Sequence, residues 1–300
     1  MEEDLQISVI IPCRNAEKYI LDCLRSVNGQ TLDPVEVIVV DDASADRSVE
    51  LIRQIHPEVI LLREGGRGGA AARNAGMRAT RGDWLAFLDA DDIWYPDHLS
   101  RAAALIRKED AIGYINHYDH LSLDGKALTP KATTIASLTV GDDLDGFIAF
   151  YEKYGHFSGM SACLVNRQRA LEVGGFDERQ IRRHDIEFWL RVVRGKRWVF
   201  DPVPTSAYRR NTPNSISSEK ASCEIFRLRA FLHRKDDVRD DAAYRRLMSQ
   251  LARKAIRASM RNGSRPDQIE ALKLGYEYLH LKEKMFYFPS KLFIGQAKDR

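Results

Sequence analysis

Four short, β-branched apolar runs in the N-terminal third, separated by stretches of helical periodicity, constrain this chain more than any other feature. Residues 7–11, 35–40, 59–62 and 84–88 read as buried strands. Residues 16–27, 48–55 and 70–80 carry helical patterns, the second closed by Pro57. Such alternation predicts an α/β fold with a mostly parallel sheet flanked by helices. Ligands of such sheets sit beyond the carboxyl ends of the strands. Two of the runs end there in carboxylates: Asp41 and Asp42 after the second, and Asp89-Ala90-Asp91-Asp92 after the fourth.

An unpaired carboxylate is expensive to bury. The Asp89–Asp92 segment therefore admits two readings. It holds a divalent cation such as Mn²⁺ or Mg²⁺, hard ions that take oxygen ligands and share carboxylates with a substrate phosphate. Alternatively it is an acidic turn that caps a helix beginning near Pro96, with Asp92 as the capping group. Beyond it, residues 111–117, 161–165 and 198–200 are strand candidates, Gly174-Gly175-Phe176-Asp177 is a turn, and 185–193 is a helix. Residues 126–145 are weakly patterned, and 202–219, with three prolines and many Ser and Asn, read as a loop or boundary. From 221 onward the pattern is helical. The expected organisation is a catalytic-type domain over 1–215, divided at about residue 100, and a basic helical appendage over 216–300.

Bulk properties exclude some classes. No apolar run reaches the length of a membrane span, and the acidic start, Met1 to Gln6, is unlike a signal peptide. The four cysteines, Cys13, Cys23, Cys163 and Cys223, lack zinc-site spacing and disulfide density, so a cytoplasmic chain with reduced thiols is expected. Residues 220–300 carry about nine more Lys and Arg than Asp and Glu, although the net charge of the chain is only +3. This segment either faces the inner surface of an anionic membrane as a peripheral contact or packs, on the first domain or across a homodimer. No nucleic-acid-binding module is present to use that charge.

The ordered motifs resemble the family 2 glycosyltransferases. They include Ser8-Val9-Ile10-Ile11-Pro12-Cys13-Arg14-Asn15-Ala16-Glu17, then Val39-Val40-Asp41-Asp42-Ala43-Ser44, Ala72-Arg73-Asn74-Ala75-Gly76 and Phe87-Leu88-Asp89-Ala90-Asp91-Asp92. Gly174-Gly175-Phe176-Asp177-Glu178 and His184-Asp185 with Phe188-Trp189 follow. The resemblance covers about residues 6–215. It implies a GT-A fold and metal-dependent, inverting transfer from a nucleoside-diphosphate sugar to a glycan or lipid-linked acceptor, in surface polysaccharide biosynthesis. It also implies donor contacts at Pro12, Arg14, Asn15, Glu17, Asp42, Asp89 and Ala90, and a metal at Asp91.

Physical chemistry bears on several of these positions. A carboxylate only accepts hydrogen bonds, so Asp42 would favour a base with a ring N–H: uracil first, with guanine or thymine as alternatives. The rival reading has Asp41 and Asp42 capping a helix near Ser44. Arg14 stands where many relatives have an aromatic, and a guanidinium can also stack. Arg67 and Arg73, around the Gly65–Gly69 loop, match phosphate geometry, and Arg209 and Arg210 resemble a segment that closes on donor phosphates. Asp185 is the candidate general base for the acceptor hydroxyl, against an N-cap reading, and Glu187 is a weaker rival. His184 stands where the family usually has an acid; it and His156 are acceptor-side candidates. A competing class is a non-catalytic sugar-nucleotide or glycan-binding protein on the same fold.

Overall fold

The computed structural model describes residues 5–128, 138–154, 159–210, 212, 220–239, 241–280 and 284. It resolves into two compact units, one of residues 1–144 with 156–213 and one of 145–155 with 214–300.

The first unit opens with β1 (Ile7–Cys13), α1 (Ile20–Asn28), β2 (Glu36–Asp42), α2 (Ser48–Ile55), β3 (Ile60–Glu64), α3 (Gly69–Ala79) and β4 (Trp84–Phe87). β1 is parallel to both β2 and β4, and β2 is parallel to β3. The expected alternation is borne out. Ile7, Val9, Ile10 and Ile11 are wholly buried, because a central parallel strand is covered on both faces. The α3 helix lies so close to β1 that a Cβ on Gly76 would come within 2.5 Å of Ile10 Cγ2.

After the short β5 (Ile93–Trp94) and α4 (His98–Glu109) come β6 (Gly113–Leu121), β7 (Ala127–Leu128), β8 (Thr139–Gly141) and α5 (Leu144–Tyr154). Then follow β9 (Cys163–Asn166), α6 (Arg167–Glu172), α7 (His184–Val192) and β10 (Trp198–Arg209). The sheet runs β3-β2-β1-β4-β9-β6-β10-β5, with β7 on β6 and β8 on β10. β9 is antiparallel to both neighbours, β4 and β6. It therefore brings its own N-terminal end to the carboxyl ends of β4 and β6, which makes the sheet mixed.

Two readings of the sequence need correction. Residues 202–209 are strand, not loop: β10 continues through Pro202 and Pro204, where the pairing with β6 shifts register between Asp201 and Ser206. An irregularity in the ladder is where proline, which has no N–H, is tolerated. The second concerns extent only: the short elements expected within the weakly patterned residues 126–145 are β7, β8 and the start of α5, too short to show a period.

The second unit holds α5, apart from its first residue, with α8 (Lys220–Leu232), α9 (Asp241–Asn262) and α10 (Arg265–Gly275). The last begins with a capping box between Ser264 and Asp267 and a proline in its first turn, both strong helix-start signals. Leu247, Leu251, Ala255 and Ile256 of α9 are buried with Leu228 and Phe231 of α8. Among the described residues no helix is long and apolar enough to cross a membrane.

Candidate functional site

The carboxyl ends of β1, β2 and β4 and the start of α7 place most of the sequence-selected residues. Asp42, at the end of β2, is buried, with 3% of its surface exposed. Its Oδ2 accepts the Gly68 N–H at 2.8 Å, an amide aimed there by a backbone of φ 96°, which glycine adopts readily. Asp42 Oδ1 is buried without a hydrogen-bond partner, an arrangement that leaves an acceptor aimed at no donor of its own chain. The capping alternative holds only for its neighbour: Asp41 Oδ1 accepts the Ser44 N–H at 3.2 Å, whereas α2 begins at Ser48 with its first N–H met by Asp46 at 3.0 Å, so Asp42 caps neither. Arg14 lies 3.7 Å from Asp42 and is exposed.

Other donor-side candidates support the loops. Asn15, at φ 51°, accepts the Ala45 N–H at 2.8 Å and gives its own N–H to Ser44 at 2.9 Å. Glu17 accepts the Arg47 N–H at 3.1 Å. Both tie the loop after β1 to the loop after β2, on which Asp42 depends. Pro12 lies within β1 beside Val40, and Ala90 is buried. Arg67 pairs with Glu64 at 2.7 Å and with Glu178 at 3.2 Å, fastening the glycine loop to the turn before α7.

The acidic segment is more crowded than its sequence suggests. Asp92 is almost fully buried and caps no helix. Its Oδ2 accepts the Ser161 hydroxyl at 2.6 Å and its Oδ1 the Arg209 N–H at 2.9 Å. The same Ser161 oxygen accepts the Asp89 N–H at 3.0 Å, an approach produced by the antiparallel fit of β9. Asp91 Oδ2 accepts the Thr212 hydroxyl at 2.9 Å. Burial, then the neighbouring Asp89, push the Asp91 carboxyl up. Burial, then Asp91 and Asp89, push Asp92 well up. Such crowding favours a bound cation or bound protons. Among the described residues no cage of three or more His, Cys, Asp or Glu side chains forms. Asp91, partly exposed, fits the ion type that takes one or two carboxylates and completes its shell with substrate and water oxygens.

Arg73 links this segment to α7. It is 5% exposed; Nη2 bonds Asp89 Oδ1 and Nη1 lies 2.8 Å from His184 Nε2. A guanidinium only donates, so Nε2 of His184 is the unprotonated acceptor. Burial, then the Arg73 charge, push His184 down to about 4. This histidine is therefore a neutral partner of Arg73 across physiological pH.

α7 begins at His184 with Arg183, at φ 55°, in the capping position. Asp185 is thus not the N-cap. Its Oδ1 accepts the Ile186 N–H at 2.8 Å, and a Cβ on Gly159 would lie 4.0 Å from its Oδ2. Burial pushes the nearby Cys163 thiol up, and the charges it feels next are Asp185, Arg73 and Asp89. Asp185 and the acidic segment therefore converge on one end of the sheet. Glu187 is buried and bonded through both oxygens to Arg191, at 2.8 and 2.6 Å, so it faces no open space. His156 lies outside the described residues.

Sequence reasoning missed Ser161 and Thr212 and misjudged Arg209. Arg209 is 2% exposed, gives its Nε–H to the Asp91 carbonyl at 2.9 Å and lies 5.0 Å from the Tyr19 ring centroid. It shapes the acidic segment from beneath instead of meeting solvent; Arg210 is exposed. Only the pairing of strands distant in sequence brings these groups together.

Comparisons with known proteins add an independent view. The profile described as "Glycosyl transferase family 2" matches residues 8–174. The chain is 31% identical over 218 residues to the amylovoran biosynthesis glycosyltransferase AmsB of Erwinia amylovora, covering 69% of this chain and 70% of that protein. It is 30% identical over 220 residues to the putative teichuronic acid biosynthesis glycosyltransferase TuaG of Bacillus subtilis, covering 71% and 82%. An uncharacterized glycosyltransferase of Nostoc sp. is 35% identical over a match that spans only 41% of its length, and one of Haemophilus influenzae is 28% identical over 62% of its length. The crystal structure of S. aureus TarS 1-349 in complex with UDP-GlcNAc superposes with a TM-score of 0.72 at 18% identity, covering 92% of this chain and 82% of that one. The shared fold is GT-A.

Proposed function

Because the chain belongs to glycosyl transferase family 2, we propose that it transfers a sugar from a nucleoside-diphosphate donor, a UDP-sugar by preference, to a glycan or lipid-linked hydroxyl acceptor in surface polysaccharide biosynthesis. The observation that carries this reading is the Arg73 bridge. It joins Asp89, in the donor-side acidic segment, to His184 and hence to Asp185 at the start of α7.

In this account Asp42 receives the ring N–H of the base on its buried, unpartnered Oδ1. Arg14, exposed beside it, lies over the base. Asp91 would hold the Mn²⁺ or Mg²⁺ together with diphosphate oxygens; bound there, the ion neutralises charge on the departing nucleotide. Arg73 holds Asp89 and keeps His184 neutral. Asp185 takes the proton from the acceptor hydroxyl as that oxygen attacks the anomeric carbon from the side opposite the leaving group, which inverts the centre. The polysaccharide roles named for the relatives and the UDP-GlcNAc bound by TarS support the donor and product classes.

A thermal-shift panel of UDP, GDP, dTDP and CDP, with and without Mn²⁺, tests the donor side, since a ligand that binds only the folded state raises its stability. UDP with Mn²⁺ is expected to raise the melting temperature most and CDP least. Equal shifts for all four, or none with any, would overturn the assignment.

A further inference from the structure

We propose that the exposed basic face of α9 is a docking surface for an anionic lipid bilayer. Residues 246, 250, 253, 254, 257 and 261 recur at helical spacing on one side of this 22-residue helix, opposite the buried Met248, Ala252, Ala255 and Ser259. No Asp or Glu occurs between Asp241 and Asp267. Arg246 is matched by Glu152 at 3.1 Å, so the charge is concentrated on the last turns, where Lys254, Arg257 and Arg261 are exposed. A shallow depression of about 260 Å³, lined by Gln250, Arg253, Lys254 and Arg257, opens on this face. Met260 adjoins the row and is 37% exposed.

The form of the surface selects the partner. From Arg253 to Arg261 the cationic stretch is straight and about 12 Å long, at 1.5 Å per residue, and so can meet several headgroups at once. Juxtamembrane Lys and Arg gain from a negative leaflet in this additive way. Single-stranded nucleic acid binders interleave aromatic platforms with their cations, and among the described residues the exposed side of α9 carries Arg, Lys, Gln, Ala, Met and Asn, with no aromatic. Docking of this kind goes beyond the transfer chemistry and is read out without any nucleotide sugar, so either idea can fail alone.

The test is co-sedimentation of the full chain with vesicles of phosphatidylcholine alone or with 30% phosphatidylglycerol, at low and high salt. Binding only to the anionic vesicles, lost at high salt, is expected. The triple variant Lys254→Glu, Arg257→Glu, Arg261→Glu should weaken it at least tenfold with an unchanged melting temperature. A control triple, Arg53→Glu, Lys196→Glu, Lys273→Glu, carries the same change in net charge at other exposed positions and should bind nearly as well as the native chain. Equal losses in both triples would overturn the proposal, as would no vesicle binding beside tight, α9-dependent binding of soluble polyphosphate. If the first triple melts early, Lys254→Gln with Arg257→Gln replaces it, and an unaltered affinity there is again fatal.

Discussion

Asp42 and Asp201 are both buried carboxylates of the same sheet, yet their surroundings are opposite. Asp201, within β10, is wholly buried and saturated: Arg101 Nε and Nη2 reach it at 2.5 and 3.1 Å, the Tyr114 hydroxyl at 3.1 Å and the Val203 N–H at 3.1 Å. Asp42 receives one amide and leaves one oxygen without a partner. The first arrangement completes a core; the second costs stability until a donor arrives from outside. The same contrast separates Glu187, closed on Arg191, from Asp185, which shares its helix but accepts the adjacent Ile186 amide and meets no cation among the described residues. Burial alone does not mark a functional acid. An incomplete set of partners, at the end of the sheet where ligands bind, does.

Substitutions can break this contrast. The largest effect is expected at Asp185. Asp185→Asn should lower donor turnover by roughly 10²–10⁴, the range for a positioned general base, with UDP affinity unchanged; Glu187→Gln should lower stability instead, and a turnover loss there equal to that of Asp185→Asn would exchange their roles. Next, Asp201→Ala leaves the buried Tyr114 hydroxyl and the partly exposed Arg101 without this acceptor and should destabilise the fold by about 1–3 kcal/mol, read by urea unfolding. A smaller cost would mean that the network around Asp201 is dispensable.

His98, which adjoins the Asp201 network but leaves its own Nε2 without a partner, offers a pH-dependent counterpart. It is fully buried, with Nδ1 2.9 Å from Thr205 Oγ1, and burial pushes it down to about 3. Its folded value lies below the unfolded one, so the unfolded chain takes up the proton first as the medium is acidified. Stability should therefore fall between about pH 6.5 and 3, at up to about 1.4 kcal/mol per pH unit from this group. His98→Gln should flatten that limb; an identical slope would place the titration elsewhere. The smallest effect is at Asp42. Asp42→Asn should weaken UDP binding by about tenfold, near the value of one hydrogen bond to a charged group, while stability holds or rises. A clear loss of stability would make Asp42 a structural acid like Asp201.

Legibility in the sequence follows from how local each determinant is. The segments that became β1 to β4 and their helices carry their periods within a few residues of one another, so the parallel half of the sheet was readable. β10 was cut short because Pro202 and Pro204 argue locally against a strand, whereas a register shift against β6 accommodates them. Ser161 gave no signal at all: its contact with Asp92 and Asp89 exists because β9 runs antiparallel to β4. Arg209 looked like a phosphate ligand because its burial depends on Tyr19, Asp22 and the 122–123 carbonyls, which are remote in sequence. Motif order identified the candidate acids. Which of them have spare oxygens depended on partners from distant strands.

The most direct measurement is anomalous diffraction from crystals grown with UDP and Mn²⁺. The account predicts a manganese peak bonded to the Asp91 carboxylate and to diphosphate oxygens, with a free Asp185 oxygen facing the same space and the uracil ring N–H on Asp42. A peak held elsewhere, or an Asp185 side chain turned away from the bound diphosphate, would contradict it.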